Sequence, residues 1–398
     1  MSTEKKSLLF ITTELPYPAN SGGRIKSSRL IQFLSEYFDV RLVCAHSLES
    51  KPDLGKIRET LGVSSVQVFD TFKPRTPFNW FMALMQFPSF GTFRVYSKKL
   101  ESMMKWGIDG ADVVIIDHLD MMEMINQKQI GKVYYHSHNT EHKLWEDFAL
   151  LEANPIKKWI IELEANRVKR FESWVIRKSK KTFAAPNDIE NLKDAAGVDS
   201  DKFHLTYHLG DESFLDQPDL ALEENGHKIF YAGTLNWMPN KDGLIWFLEN
   251  CWDHIRSHVS DAELNICGSG ADSDLLRLIE TQTGVNYMGY VEDLKPLMAA
   301  SSAAIVPLRF GSGMKIKTFD ALYRGIPLIT TSVGVEGAAL ESGVHCLIAD
   351  DPSAFSNSVV EMLNDRTKAS GLATAGRTLV RTSYTYPIIF KQMLTNLS

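Results

Sequence analysis

The stretch 302–337 reads SAAIVPLRFGSGMKIKTFDALYRGIPLITTSVGVEG. It opens on AAIVP (303–307), a short apolar run suited to a strand covered on both faces. That run gives way to Arg309 and the triplet Gly311-Ser312-Gly313. From there Ile316, Phe319 and Leu322/Tyr323 recur at helical spacing. PLIT (327–330) then reads as a second strand, ending in Thr330-Thr331-Ser332. Strand, glycine loop, helix, strand is the grammar of a parallel α/β layer.

The same grammar extends in both directions. Upstream strand candidates are LLFIT (8–12), VRLVC (40–44), VQVF (66–69), DVVIID (112–117), KVYYH (132–136), TFAA (182–185) and FHLTY (203–207). Later in the chain come KIFYA (228–232), AELNIC (262–267), VNYM (285–288) and HCLIA (345–349). Helix-like segments such as KSSRLIQFLSEYF and DGLIWFLENCWDHI lie between them. The acidic, Pro-containing segment 211–227 is the natural linker. We therefore expect a first domain over 1–210 and a second over 211–375. A closing helical segment over 376–398, interrupted near Pro387, is expected to pack back toward the first domain.

In open parallel sheets, ligands bind outside the carboxyl ends of the strands. Here those ends are small or polar repeatedly: Thr12-Thr13-Glu14, Asp117-His118 and His136-Ser137-His138 in the first half. Gly233-Thr234, Gly268-Ser269-Gly270, Gly289 and Gly311-Ser312-Gly313 follow in the second. Glycine admits close approach of backbone amides to a phosphate, and a following helix start adds favourable partial charge.

Composition narrows the classes. With 398 residues the chain is long enough for two domains. A net charge of −6 gives no general reason to bind nucleic acid. Cys44, Cys251, Cys267 and Cys346 form no CxxC pair, and three of them sit in or beside apolar runs, which fits buried thiols and a reducing compartment. Leu8–Ile11 is far too short for a signal-peptide core, and no uncharged apolar run approaches the roughly 20 residues of a membrane span. A cytoplasmic location is expected.

Taken in order, YAGTLNWMPNKDGLIWFLENCW, LNICGSG, VNYMGYVEDL and the 302–337 stretch resemble the retaining glycosyltransferase family 4. In the first half ITTELPYPANSGGRIKSSRLIQFLS, DVVIIDHLDM and YYHSHNTEHKLWEDFA continue the likeness. The resemblance implies an α/β fold of two Rossmann-like domains with parallel sheets facing across a cleft (GT-B). The second domain would hold a nucleotide diphosphate-sugar and the first a saccharide or lipid-linked acceptor. It further implies transfer with retention, no cofactor, no metal, and a place in cell-surface polysaccharide or glycolipid synthesis. By position, Asp320 matches the acidic residue that binds ribose, whereas Ser312 stands where the family has a glutamate. Thr234 follows Gly233 where an arginine is common, and Lys241 lies one residue beyond the expected lysine. Gly22-Gly23 matches a loop that approaches the donor phosphates, and His138 a histidine lining the donor sugar, with His136 the choice if the register slips. Asp117 and His118 are expected on the acceptor side. Lys315 and Lys317 are cations at a helix start, where the dipole disfavours them unless an anion binds; the alternative for Lys317 is a surface pair with Asp320. Gly268, Gly270, Gly289, Gly311, Gly313 and Glu336 complete the donor set.

Other readings stay open. HNTEH (138–142) matches the H-x-x-E-H pattern of a zinc peptidase, but a helix starting after His138 would stop the pair converging. The basic segment 157–181, with Trp159 and Ile160, reads either as a packed amphipathic helix or as an interfacial one at the inner membrane face. PFNWFMALMQFPSF (77–90) is the second such candidate. A nucleotide-sugar epimerase on the same fold and a non-catalytic partner subunit are the alternative functions.

Overall fold

A computed structural model describes residues 5–19, 21–46, 52–222, 225–311 and 313–397. The chain divides into two compact units, 1–207 with 389–398, and 208–388.

In the first unit seven parallel strands form one sheet. They are β1 (Ser7–Thr12), β2 (Asp39–His46), β3 (Ser65–Asp70), β4 (Val113–Asp117), β5 (Val133–His136), β6 (Lys181–Ala184) and β7 (Phe203–Leu205). Their order is β3-β2-β1-β4-β5-β6-β7. Strand β1 is central and almost wholly buried, because helices cover both faces; Leu9 and Ile11 join Val43, Val114, Ile116 and Tyr135 in one apolar layer. The order reverses direction between β1 and β4, and at that switch Thr12 lies beside Asp117 in register.

The second unit repeats the plan with β8 (Lys228–Ala232), β9 (Glu263–Cys267), β10 (Val285–Gly289), β11 (Ala303–Val306), β12 (Leu328–Thr330) and β13 (Leu347–Ile348). The order is β10-β9-β8-β11-β12-β13, again parallel. Tyr231, Ile266, Ile305 and Ile329 build its core against Phe247, Trp252 and Phe355 from the helices.

The units differ from the expected boundaries in two places. The first break falls after Tyr207, not at 210. Position 375 lies inside one continuous helix, Arg366–Ser383, so residues 376–388 stay with the second unit. Arg377 explains this: its guanidinium donates to the Phe214 and Leu215 carbonyls (3.2 and 3.0 Å) and pairs with Asp219 at 2.5 Å. Residues 389–398 belong to the first unit, where Phe390 packs on Phe33 with ring centroids 5.3 Å apart. No helix among the described residues is long and apolar enough to cross a membrane.

Candidate functional site

In the first unit the chemistry gathers on Asp117, the last residue of β4. Its side chain is fully buried and accepts three hydrogen bonds, from His136 Nδ1 (2.6 Å), His138 Nε2 (2.5 Å) and Ser27 Oγ (2.5 Å). Burial opposes charge on Asp117, but the His138 and His118 rings and the donated hydrogen bonds outweigh it and hold the carboxyl well below the carboxylate range. Burial pushes the His138 imidazole down from its usual value, against the pull of the Asp117 carboxylate. A neutral His138 that donates from Nε2 carries its lone pair on Nδ1. That nitrogen lies 3.9 Å from where a Cβ on Gly23 would stand, beside the start of the helix Gly22–Tyr37. The backbone carbonyl of His138 is tied down by Lys26 Nζ at 3.1 Å.

His118 completes the cluster in a strained conformation. Its φ of 94° lies in the left-handed region that side chains avoid, at a cost of about 1–3 kcal/mol. Its ring stacks on His138 with centroids 4.0 Å apart, and its Nδ1 lies 2.6 Å from the Asp117 carbonyl and 3.3 Å from Thr12 Oγ1. Asp117, His136 and His138 also bring three potential metal-ligand atoms within 4.8 Å of one another. Both rings, however, donate to the same carboxylate oxygen, so the hydrogen bonds already account for the clustering. Sequence reasoning named all four residues yet missed Ser27 and Lys26, whose helical positions carry no motif.

In the second unit three glycines stand side by side at the carboxyl edge. Gly233 N donates to the Cys267 carbonyl at 2.9 Å, and Gly268 N to that of Gly289 at 2.7 Å. Gly268 has φ of 151°, and a Cβ there would come within 1.9 Å of the Gly233 carbonyl oxygen, so only glycine fits. Against this ledge rests Lys317, at the start of the helix Ile316–Arg324. Its Nζ donates to Asn240 Oδ1 at 2.6 Å, sits 5.0 Å from the Tyr231 ring centroid, and would be 2.9 Å from a Cβ on Gly233. Asn240 is oriented by its own Nδ2 donating to the Thr234 carbonyl at 2.9 Å. Burial, helped by Lys315, pushes the Lys317 ammonium down to about 7. The surface pair with Asp320 does not form.

Asp320 instead accepts from the Asp211 amide through Oδ1 at 2.7 Å, with Gly210 so close that a Cβ there would overlap it. Burial pushes its carboxyl up to about 7. Lys315 is turned into its own loop. It donates to the Gly311 carbonyl at 2.9 Å and to that of Gly313, and meets Glu336 at 3.4 Å. Lys241 pairs with Asp272, and Thr234 is exposed. Gly270 and Gly289 take positive φ at the strand ends. Ser312 lies outside the described residues. Asn240 and Tyr231, the partners of Lys317, were not anticipated. As for HNTEH, His138 bonds Asp117 while His142 Nδ1 lies 2.5 Å from Glu172, so the pair does not converge on one point.

Residues 226–365 match the family described as Glycosyl transferases group 1. That stretch is a group 1 glycosyltransferase domain. The group 1 domain covers all six strands of the second sheet and both Lys317 and Asp320. The chain is 21% identical to an uncharacterised 44.6 kDa protein in the cps region of Klebsiella pneumoniae, over 97% of this chain and 98% of that one. It is 23% identical to a GDP-mannose-dependent monoacylated α-(1-6)-phosphatidylinositol monomannoside mannosyltransferase of Corynebacterium glutamicum, over 60% of this chain and 63% of that one. In fold it is similar to Anabaena HepE, solved with UDP and glucose, with a TM-score of 0.71 at 12% identity, 98% of this chain and 99% of that one being covered. The fold expected from the sequence, two Rossmann-like parallel-sheet domains of the GT-B type, therefore stands.

Proposed function

We propose that the chain transfers a sugar from a UDP- or GDP-sugar to a saccharide or lipid-linked acceptor hydroxyl, with retention of configuration, in cell-surface polysaccharide or glycolipid synthesis. The observation that carries this reading is the Lys317 ammonium set under the Gly233 ledge, within the group 1 domain. Supporting it are the nucleotide sugar named for the Corynebacterium relative, the UDP and glucose of HepE, and the cps region of the Klebsiella relative.

The chemistry divides among few groups. A nucleoside diphosphate leaves as an anion, so the barrier falls most when positive groups are already in place around its phosphates. We assign that role to Lys317 and to the backbone amides at the start of its helix, with charge stabilisation drawn from the protein rather than a metal. Partial burial strengthens this interaction, since water screens it less. Asp320 accepts ribose hydroxyls while the Asp211 amide fixes its other oxygen. The leaving phosphate takes the proton of the acceptor hydroxyl as the new glycosidic bond forms on the face it vacates. In the first unit, sugar recognition is assigned to His138 and the amides at Gly22-Gly23, with Asp117 and His118 setting the imidazole plane. Lys315 and Glu336 shape the loop instead of touching phosphate.

Incubation with a panel of UDP- and GDP-sugars, read by mass spectrometry, tests the reading. Slow release of nucleoside diphosphate without acceptor, and a glycosylated product with one, is the expected result. An isomerised donor would instead mark an epimerase, and inertness toward every donor a non-catalytic partner.

A further inference from the structure

Beside the histidine edge, the first unit carries acids that the transfer chemistry leaves unused. Asp120 sits in the 3-10 turn Leu119–Met124 after β4, with its carboxylate against Gly91: a Cβ there would come within 2.2 Å of Oδ1 and 2.7 Å of Oδ2. It makes no hydrogen bond and no ion pair among the described residues. Glu141 begins the helix Glu141–Leu151 and faces Asn139, Asp120 and Glu172. The other acids nearby are already engaged. Glu172 accepts from the Glu141 amide at 3.0 Å and meets His142 Nδ1 at 2.5 Å, while Glu164 holds Arg167 and the Phe90 amide, each at 2.5 Å. The basic side chains facing Asp120 are His118 and Arg94, and Arg94 donates from Nε to the Lys73 carbonyl at 3.0 Å. Burial pushes Asp120 up to about 6; it pushes Glu141 up to about 8, helped by Asp120 and Glu172.

Two independent observations point from these acids to a ligand. Tyr135 is fully buried, yet its hydroxyl has no hydrogen-bond partner, and the charges acting on it are those of Glu172, Glu141 and Asp120. A buried hydroxyl is normally paired. The Ser137 hydroxyl beside it donates instead to the Asn139 carbonyl at 2.7 Å. The second observation is aromatic. Trp145 follows Glu141 by one helical turn and shares its face. Trp80 meets Trp145 edge-on with centroids 6.2 Å apart and stacks at 3.9 Å on Phe90, the neighbour of Gly91. Asp120, Glu141 and both indoles are half-buried, so all four stay open to solvent. Among the described residues only Asp117, His136 and His138 bring three ligand atoms within 4.8 Å of one another. The acids of this flank are therefore spread too widely to close on one ion. Carboxyls that accept hydrogen bonds beside indoles that cover C–H surface suit a sugar ring.

We propose that Asp120, Glu141, Tyr135, Trp80 and Trp145 form the acceptor subsite, and that it takes a sugar rich in hydroxyl or ammonium donors and free of phosphate and carboxylate. Calling that sugar the acceptor rests on the transferase reading. Asp120 lies two residues after His118, whose ring stacks on His138 at 4.0 Å, so a sugar held here lies beside the histidine edge. Asp120 and Glu141 accept its hydrogen bonds and take no part in bond making, and Tyr135 offers its hydroxyl from the inner side. A phosphate or carboxylate at the same place would meet like charge.

Saturation-transfer NMR on the full chain with the methyl glycosides of glucose, glucosamine and glucuronic acid tests this. The glucoside and the glucosaminide should bind, and the glucuronide should not. In Asp120→Asn/Glu141→Gln the glucosaminide should weaken about tenfold while the glucuronide becomes a ligand, a gain that damage to the fold cannot produce. The thermal midpoint of that variant should not fall, because both side chains keep their shape and lose a desolvated charge. Absence of binding by all three glycosides would overturn the subsite. So would binding of the glucuronide to the unaltered chain, or an unchanged order of affinities in the variant. Parallel titration with UDP and GDP separates the two failures. Nucleotide binding without sugar binding removes this subsite alone, whereas sugar binding without nucleotide binding removes the transferase reading and the acceptor role with it.

Discussion

Lys317 and Asp320 make opposite demands on pH. Asp320 is pushed up to about 7 from an ordinary 3.8, so between those values the folded unit holds a proton that the unfolded chain has lost, and stability falls as pH rises through that window. Lys317 is pushed down to about 7 from 10.5. Between 7 and 10.5 the unfolded chain holds the extra proton, and stability rises with pH. Together these two groups make pH 7 the local minimum of their contribution to stability, and denaturant titrations at about pH 5.5, 7 and 8.5 should show it; Asp320→Asn removes the acid arm. Donor binding needs both groups charged, so affinity should peak near pH 7, and Lys317→Arg should extend the alkaline arm upward. On the other sheet, Asp117→Asn should lower kcat by about 10²-fold through misplacement of His138, with KM little changed and no further loss when combined with His138→Ala. Asp117 as the hub of three donors could not be read from sequence, because Ser27 is 90 positions away.

At the scale of elements, every strand expected from the apolar runs is present, since a parallel sheet covered on both faces demands continuous β-branched runs that local sequence displays. The functional contacts were less legible because they join separate elements. Lys317 finds Asn240 across 77 positions, and Lys241, expected at the phosphates, finds Asp272 instead. Two glycines on neighbouring strand ends separate folding from binding. Gly268→Ala drives a Cβ into the Gly233 carbonyl at a positive φ and should destabilise the unit by on the order of 3 kcal/mol, seen by chemical denaturation. Gly233→Ala meets only the movable ends of Lys317 and Asn240; the fold should hold while nucleotide affinity drops.

At the scale of the whole molecule, the chain carries two sheets whose first six strands follow the same order, built with unequal equipment. The first unit gathers histidines around a buried carboxylate, and the second holds the cation and the ledge. A nucleoside diphosphate should therefore stabilise residues 208–388 selectively, by about 2.7 kcal/mol at a hundredfold excess over its Kd, visible as amide-exchange protection confined to that unit. The account stands or falls on Lys317 as the phosphate-holding cation, and calorimetric titration of UDP and GDP into the unaltered protein and Lys317→Ala at pH 7 measures this most directly. One nucleotide should bind, with affinity at least tenfold weaker in the variant. Equal affinity in the two proteins, or no binding of either nucleotide, would contradict it.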